Sequence, residues 1–167
     1  VLFRSEKFIA DEELIQKLID CLEQESLKYE VYFKLVITTG MRRGECCGLK
    51  WSDIRFKKKE IFIQRNVVKV SHHDIFVKEP KTNAGTRTVY ISKDMLELLK
   101  EYRTFCEFQC LQTDQRELTK DDYLFRREGG LPMTPNTFTF RFNKILKKYN
   151  LPKELTVHSL RHSNASI

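Results

Sequence analysis

Proline is scarce in this sequence, four residues in 167, and the chain has no internal repeat and no low-complexity segment. A repeat array is excluded, and what remains is one compact domain long enough to bury a core. Long apolar runs are missing too. The densest stretch, "YEVYFKLVITTG", is interrupted by Glu30 and Lys34 and is too short to cross a bilayer. It reads as a core helix, and no membrane association is expected. No secretory signal opens the chain, whose first residue is Val1 rather than Met. Residues 1–7 therefore read as leading residues left by expression, ahead of a domain spanning 8–167. The cysteines, five in all, show no C-x-x-C pair and no disulfide-scaffold spacing, which excludes a disulfide framework and points to a reducing, cytoplasmic setting. Cys106 and Cys110 are four apart and would share a helix face; a metal half-site there needs two further ligands, and small apolar core residues are the favoured reading.

What the chain does have is positive charge. Lys and Arg total 30 against 23 Asp and Glu, a formal net charge of +7 with an isoelectric point near 9.2. That balance directs the search toward polyanionic partners, nucleic acid first.

The apolar pattern resolves into elements. "DEELIQKLIDCLEQ" places Leu14, Ile15, Leu18, Ile19 and Leu22 at helical spacing, with Asp11, Glu12 and Glu13 where a helix start favours negative charge. Tyr29 to Thr39 is apolar nearly all round, as in a helix buried between others, and Gly40 ends it as a C-terminal cap. "RRGECCGLKWSDI" reads as a short helix and turn. Then "EIFIQ", "VVKVSHHDIFVKEP" and "TRTVYIS" are rich in β-branched and aromatic residues and read as three antiparallel strands, with "KTNAG" as a hairpin turn between the second and third. Met95, Leu98, Leu99, Tyr102 and Cys106 mark a further helix, and Phe138, Phe142, Ile145, Leu146 and Tyr149 another, joined by a charged connection. The fold class expected is α+β, mainly α-helical, with one small three-stranded antiparallel sheet.

Several polar residues stand out on this frame. In "TTGMRRGE", Arg42 follows a helix-ending glycine on a junction anchored by the buried helix, and arginine on rigid structure suits bidentate phosphate recognition. Taken alone, a surface ion pair between Arg42 and Glu45 is the simpler reading. Lys81, in "EPKTNAG", is by itself a solvated turn lysine. In "VHSLRHSNASI", His158 and Arg161 are three apart, so on a helix beginning near Thr156 they share a face. One surface could then grip a phosphate and move a proton, although H-x-x-R occurs often by chance.

The ordered set is more specific than its parts. "TGMRRGECCGLKWSDI", a strand segment with Lys81 at its second turn, "TPNTFTFRFNKILKKYNL" and "HSLRHS" together resemble the tyrosine recombinases, the phage and transposon integrase family, from about Phe8 onward. The resemblance implies that fold, and a catalytic set in which Arg42 is the first arginine, Lys81 the hairpin lysine, and His158 and Arg161 the H-x-x-R pair. Glu45 and His162 match supporting positions; Arg43 is a neighbour, not a match. The family's nucleophilic tyrosine lies well downstream of the H-x-x-R box, whereas Tyr29, Tyr32, Tyr90, Tyr102, Tyr123 and Tyr149 all precede it. The resemblance thus implies a catalytic domain that stops short of its nucleophile and is inactive in cleavage by itself. It also implies double-stranded DNA as partner, no metal and no other cofactor, a tetrameric full-length protein and a monomeric fragment. The form looks more like integrases of mobile elements than like a chromosome-dimer system.

Two other classes stay open on sequence. One is a DNA-binding or regulatory module without catalysis. The other is a metal-dependent phosphoesterase using His72, His73, Asp74, His158 and His162; adjacent histidines on a strand would point to opposite faces and could not share one ion.

Overall fold

The computed structural model describes residues 10–71, 75–80 and 85–163. Helix α1 (Glu12–Leu22) starts where Asp11 Oδ1 accepts the Leu14 N–H at 2.8 Å, and it buries Ile15, Leu18, Ile19 and Leu22. The charges at its start and the apolar stripe are those read from the sequence. Helix α2 (Leu27–Thr39) is buried over most of its length and stops at Gly40, whose left-handed φ of 71° lets its N–H reach the Val36 carbonyl. Glu30 and Lys34, which interrupt its apolar run, are buried as partners: Lys34 Nζ lies 3.3 Å from Glu23 and 3.9 Å from Glu30. Burial pushes the Glu30 carboxyl up, with Lys34 opposing.

Helices α3 (Arg43–Cys47), α4 (Lys93–Asp114), α5 (Pro135–Lys148) and α6 (Val157–Leu160) complete the helical part. The core joins α2 to α5 through aromatic rings. Tyr32 stacks on Phe138 with centroids 3.6 Å apart, and Phe33 packs against Phe138 and Phe142. Cys46, Cys47, Cys106 and Cys110 are buried among these elements, and burial drives the Cys47 thiol up to about 12 and that of Cys106 to about 11. The burial of Cys106 and Cys110 makes both of them packing groups, as expected.

A three-stranded antiparallel sheet forms, but from different pieces than the sequence suggests. Strand β2 (Glu60–Ile63) lies between β1 (Ile54–Arg55) and β5 (Arg87–Tyr90), with Arg55 opposite Glu60 and Ile63 opposite Arg87. The stretch read as one strand, "VVKVSHHDIFVKEP", folds back on itself as β3 (Asn66–Lys69) and β4 (Ile75–Lys78), a separate two-stranded unit with Lys69 opposite Ile75. Its two apolar halves are separated in sequence by the polar run Ser71–Asp74, which breaks the alternating pattern a continuous strand would show. Among the described residues β4 and β5 do not pair, and the stretch read as a hairpin turn between them lies almost wholly outside the described residues. Lys81 and Asn83 fall in that segment, outside the described residues, as do His72, His73 and Asp74.

Candidate active site

The first side of the site is built at the α2–α3 junction. Met41, fully buried, follows Gly40, and its N–H donates to Thr39 Oγ1. The anchored chain delivers Arg42 to the start of α3. There the Glu45 carboxylate accepts the Arg42 backbone N–H at 2.9 Å, closing the first turn. Glu45 is only 6% exposed, and its ion-pair partner is Arg87, whose Nη1 and Nη2 donate to Oε2 and Oε1 at 2.7 and 3.1 Å. Burial alone would raise the Glu45 carboxyl; the Arg87 hydrogen bonds, the Arg42 N–H and both positive charges overcome it and hold the group below the usual carboxylate range. The surface ion pair between Arg42 and Glu45 is therefore not what forms. Arg42 meets Glu45 through its backbone, and Arg87 takes the charge.

The second side comes from α6. Thr156 caps it by accepting the Ser159 N–H at 3.0 Å, and Val157 and Leu160 are buried. Those two anchors leave His158 and Arg161 on the other face, where both line the same cleft as Arg42. Arg161 Nε donates to the Gly40 carbonyl at 2.8 Å, which ties α6 to the end of α2 across 121 residues of sequence. Burial pushes the Arg161 guanidinium down from its ordinary value, and the positive charges of Arg42 and Arg87 push the same way against Glu45. The His158 and His162 rings meet edge to face at 5.4 Å.

The cleft has a volume of about 500 Å³, and Arg43, Asn66 and Lys69 line it beside Arg42, His158 and Arg161. Of the residues singled out in the sequence, the structure brings Arg42, His158 and Arg161 to one surface and puts Glu45 behind the first of them. His162 packs on His158 without lining the cleft, and Lys81 lies outside the described residues. Arg87, Asn66 and Lys69 were missed. No local spacing marks them, because each reaches the site through sheet pairing or long-range packing. Among the described residues no three His, Cys, Asp or Glu side chains gather where they could hold a metal ion, and no helix is long and apolar enough to cross a membrane.

A guanidinium pair with an imidazole beside it in one open cleft can bind a tetrahedral oxyanion and transfer a proton to or from it. The family model described as the phage integrase family matches residues 8–167. This chain belongs to the phage integrase family. The integrase-family chain is 32% identical to a tyrosine recombinase XerC-like protein of Caldanaerobacter subterraneus subsp. tengcongensis, over 94% of its own length and 42% of that protein. It is 27% identical to the ICEBs1 integrase of Bacillus subtilis, over 96% of its length and 42% of the relative. It thus spans about two fifths of the curated relatives it matches. Among solved structures it resembles the Tn1549 transposon integrase in complex with transposon right end DNA, with TM-score 0.77 and 21% identity over 95% of this chain and 52% of the other. At that identity the likeness concerns the fold, which is that of a tyrosine-recombinase catalytic domain.

Proposed function

We propose that this chain is most of the catalytic domain of a site-specific recombinase that integrates or excises a mobile element, cutting and rejoining double-stranded DNA through a 3′-phosphotyrosine. The observation that carries the reading is the convergence of Arg42 and Arg161 on one cleft, with Arg161 fixed to the Gly40 carbonyl two residues before Arg42. Attack by a tyrosine oxygen forms a bond to phosphorus and breaks the bond to the 5′-oxygen. Negative charge builds on the non-bridging oxygens on the way. Arg42 and Arg161 are the donors that stabilise it, Glu45 holds the Arg42 backbone, and His158 and Lys81 manage the protons of the phenol and the departing 5′-oxygen. His162 supports the His158 ring. The phosphodiester bond energy is kept in the phosphotyrosine, so the reaction calls for no ATP and no metal. The full-length protein acts as a tetramer on two duplexes.

The nucleophile is a tyrosine outside this chain. None of its six tyrosines lines the cleft. Tyr32 and Tyr102 are buried, with burial raising both phenols well above their ordinary value, and Tyr149 donates its hydroxyl to Glu25.

The test uses the full-length parent and DNA carrying its site. Lys81→Ala should cut ordinary DNA very slowly, because an alkoxide leaves poorly without a proton. A sulfur in place of the bridging 5′-oxygen leaves unaided and should restore that variant. It should not restore Arg42→Ala, whose defect lies in charge stabilisation. Absence of any covalent protein–DNA adduct with the unmodified parent would return the chain to the class of DNA-binding modules without catalysis. Full-rate cutting by Lys81→Ala would remove Lys81 from the reaction.

A further inference from the structure

The cleft combines one buried carboxylate with a crowd of cations. Arg42, Arg43, Lys69 and Arg161 line it, and Glu45 is buried behind them. A buried carboxylate left without a partner is strongly destabilising, so it captures whatever guanidinium it can reach. Both clamp arginines are candidates: Arg42 and Arg161 each lie within the electrostatic reach of Glu45. Among the described residues neither forms an ion pair with it. Arg87, the first residue of β5, takes both carboxylate oxygens in a two-point contact at 2.7 and 3.1 Å. The Glu45 carboxylate meets Arg42 through the backbone hydrogen bond at 2.9 Å, which engages no side-chain charge of Arg42.

We infer that Arg87 is a positioning residue of this site: by occupying the Glu45 carboxylate it keeps Arg42 and Arg161 available to the substrate phosphate. The inference rests on the reading of the cleft as a phosphodiester clamp. It also gives the fold a reason to bring β5 to the start of α3. Arg87 is the first residue of β5, so the same ion pair ties that strand to the turn carrying Arg42. The Arg87 side chain is 40% exposed at the pair. A direct contact with phosphate is therefore the competing role, and the two roles give opposite results when Glu45 is neutralised.

The probe is inorganic phosphate titrated into the 167-residue chain, followed through the arginine Nε–H resonances. Arg87→Met should weaken binding about tenfold, the size of coupling common between groups in one network. Adding Glu45→Gln to Arg87→Met should bring affinity back to within about threefold of the wild-type chain, because the amide oxygen still accepts the Arg42 N–H and no charge remains to capture the clamp. The full-length parent should follow the same order in adduct formation on its DNA. Where Arg87→Met alone does not fold, Arg87→Lys carries the test: a one-point contact should give intermediate affinity, again restored by Glu45→Gln. Phosphate affinity unchanged in Arg87→Met overturns the inference. So does a double variant as weak as the single one, which would make Arg87 a phosphate ligand. A parent that forms no adduct sinks the recombinase reading, while the phosphate titrations still judge Arg87.

Discussion

Arg161 uses one donor for position, and on the proposed reading the fork of its guanidinium serves the chemistry. Its Nε–H holds the Gly40 carbonyl, and a lysine at this place could not do that and present two parallel donors as well. Arg161→Ala in the full-length parent should lower single-turnover adduct formation by on the order of 10²-fold, the usual cost of one oxyanion donor, and Arg161→Lys should recover little of it. Glu45 makes a second residue-scale prediction. Its folded-state pKa lies below the unfolded value, so the stability it contributes is complete above the ordinary carboxylate range and is lost as pH falls through the folded value. The stability difference between wild type and Glu45→Gln, read from denaturant midpoints, should therefore narrow below about pH 4. A difference that stays constant down to pH 3 would mean that the Arg87 pair does not hold the charge. At this scale the sequence pointed to Arg42, His158 and Arg161 through an ordered set of motifs, since each local spacing taken alone favours a plainer reading, and the fold brings the three to one cleft. The sequence concealed Arg87 because the partner of Glu45 lies 42 residues away, with nothing but the folded sheet to connect them.

Helix α3 is five residues long and owes its place to glycine rather than to propensity. A Cβ on Gly44 would sit 2.1 Å from Asn66 Oδ1 and 2.5 Å from the Val67 carbonyl oxygen, so only glycine lets α3 lie directly on β3. The asparagine side chain can rotate away, but the Val67 carbonyl belongs to a paired strand and cannot. Gly44→Ala should cost about 1–3 kcal/mol of stability, as overpacking usually does, and should move the first turn of α3 that holds Arg42. Thermal unfolding together with phosphate titration checks both parts; a variant that keeps its melting temperature and its phosphate affinity would show that α3 can slide. The helices were legible because caps and stripes are local: Asp11, Gly40 and Thr156 each sit where a helix starts or stops. The sheets were legible only as composition. Strand β1 is two residues long, and the division of the remaining strands between two sheets depends on partners that no run of sequence names.

For the molecule as a whole, the excess of positive charge and the arginine cleft make separate claims about DNA. The +7 balance predicts attraction to any polyanion, wherever it lands. The cleft predicts where a phosphate is gripped, and salt dependence can tell the two apart. Each phosphate contact releases condensed counterions, so the slope of log affinity against log salt counts contacts, with about 0.9 per phosphate neutralised on duplex DNA. Titrating duplex DNA into the chain at several salt concentrations should give a steep slope. Arg42→Ala and Arg161→Ala should each flatten it by roughly one contact. Arg161→Lys should leave the slope nearly intact, because the charge is kept, even though the same substitution should disable cleavage in the parent by removing the fork. Binding and chemistry would then separate at a single residue. If neither alanine variant changes the slope, the duplex lies on another basic surface and the cleft does not grip its backbone.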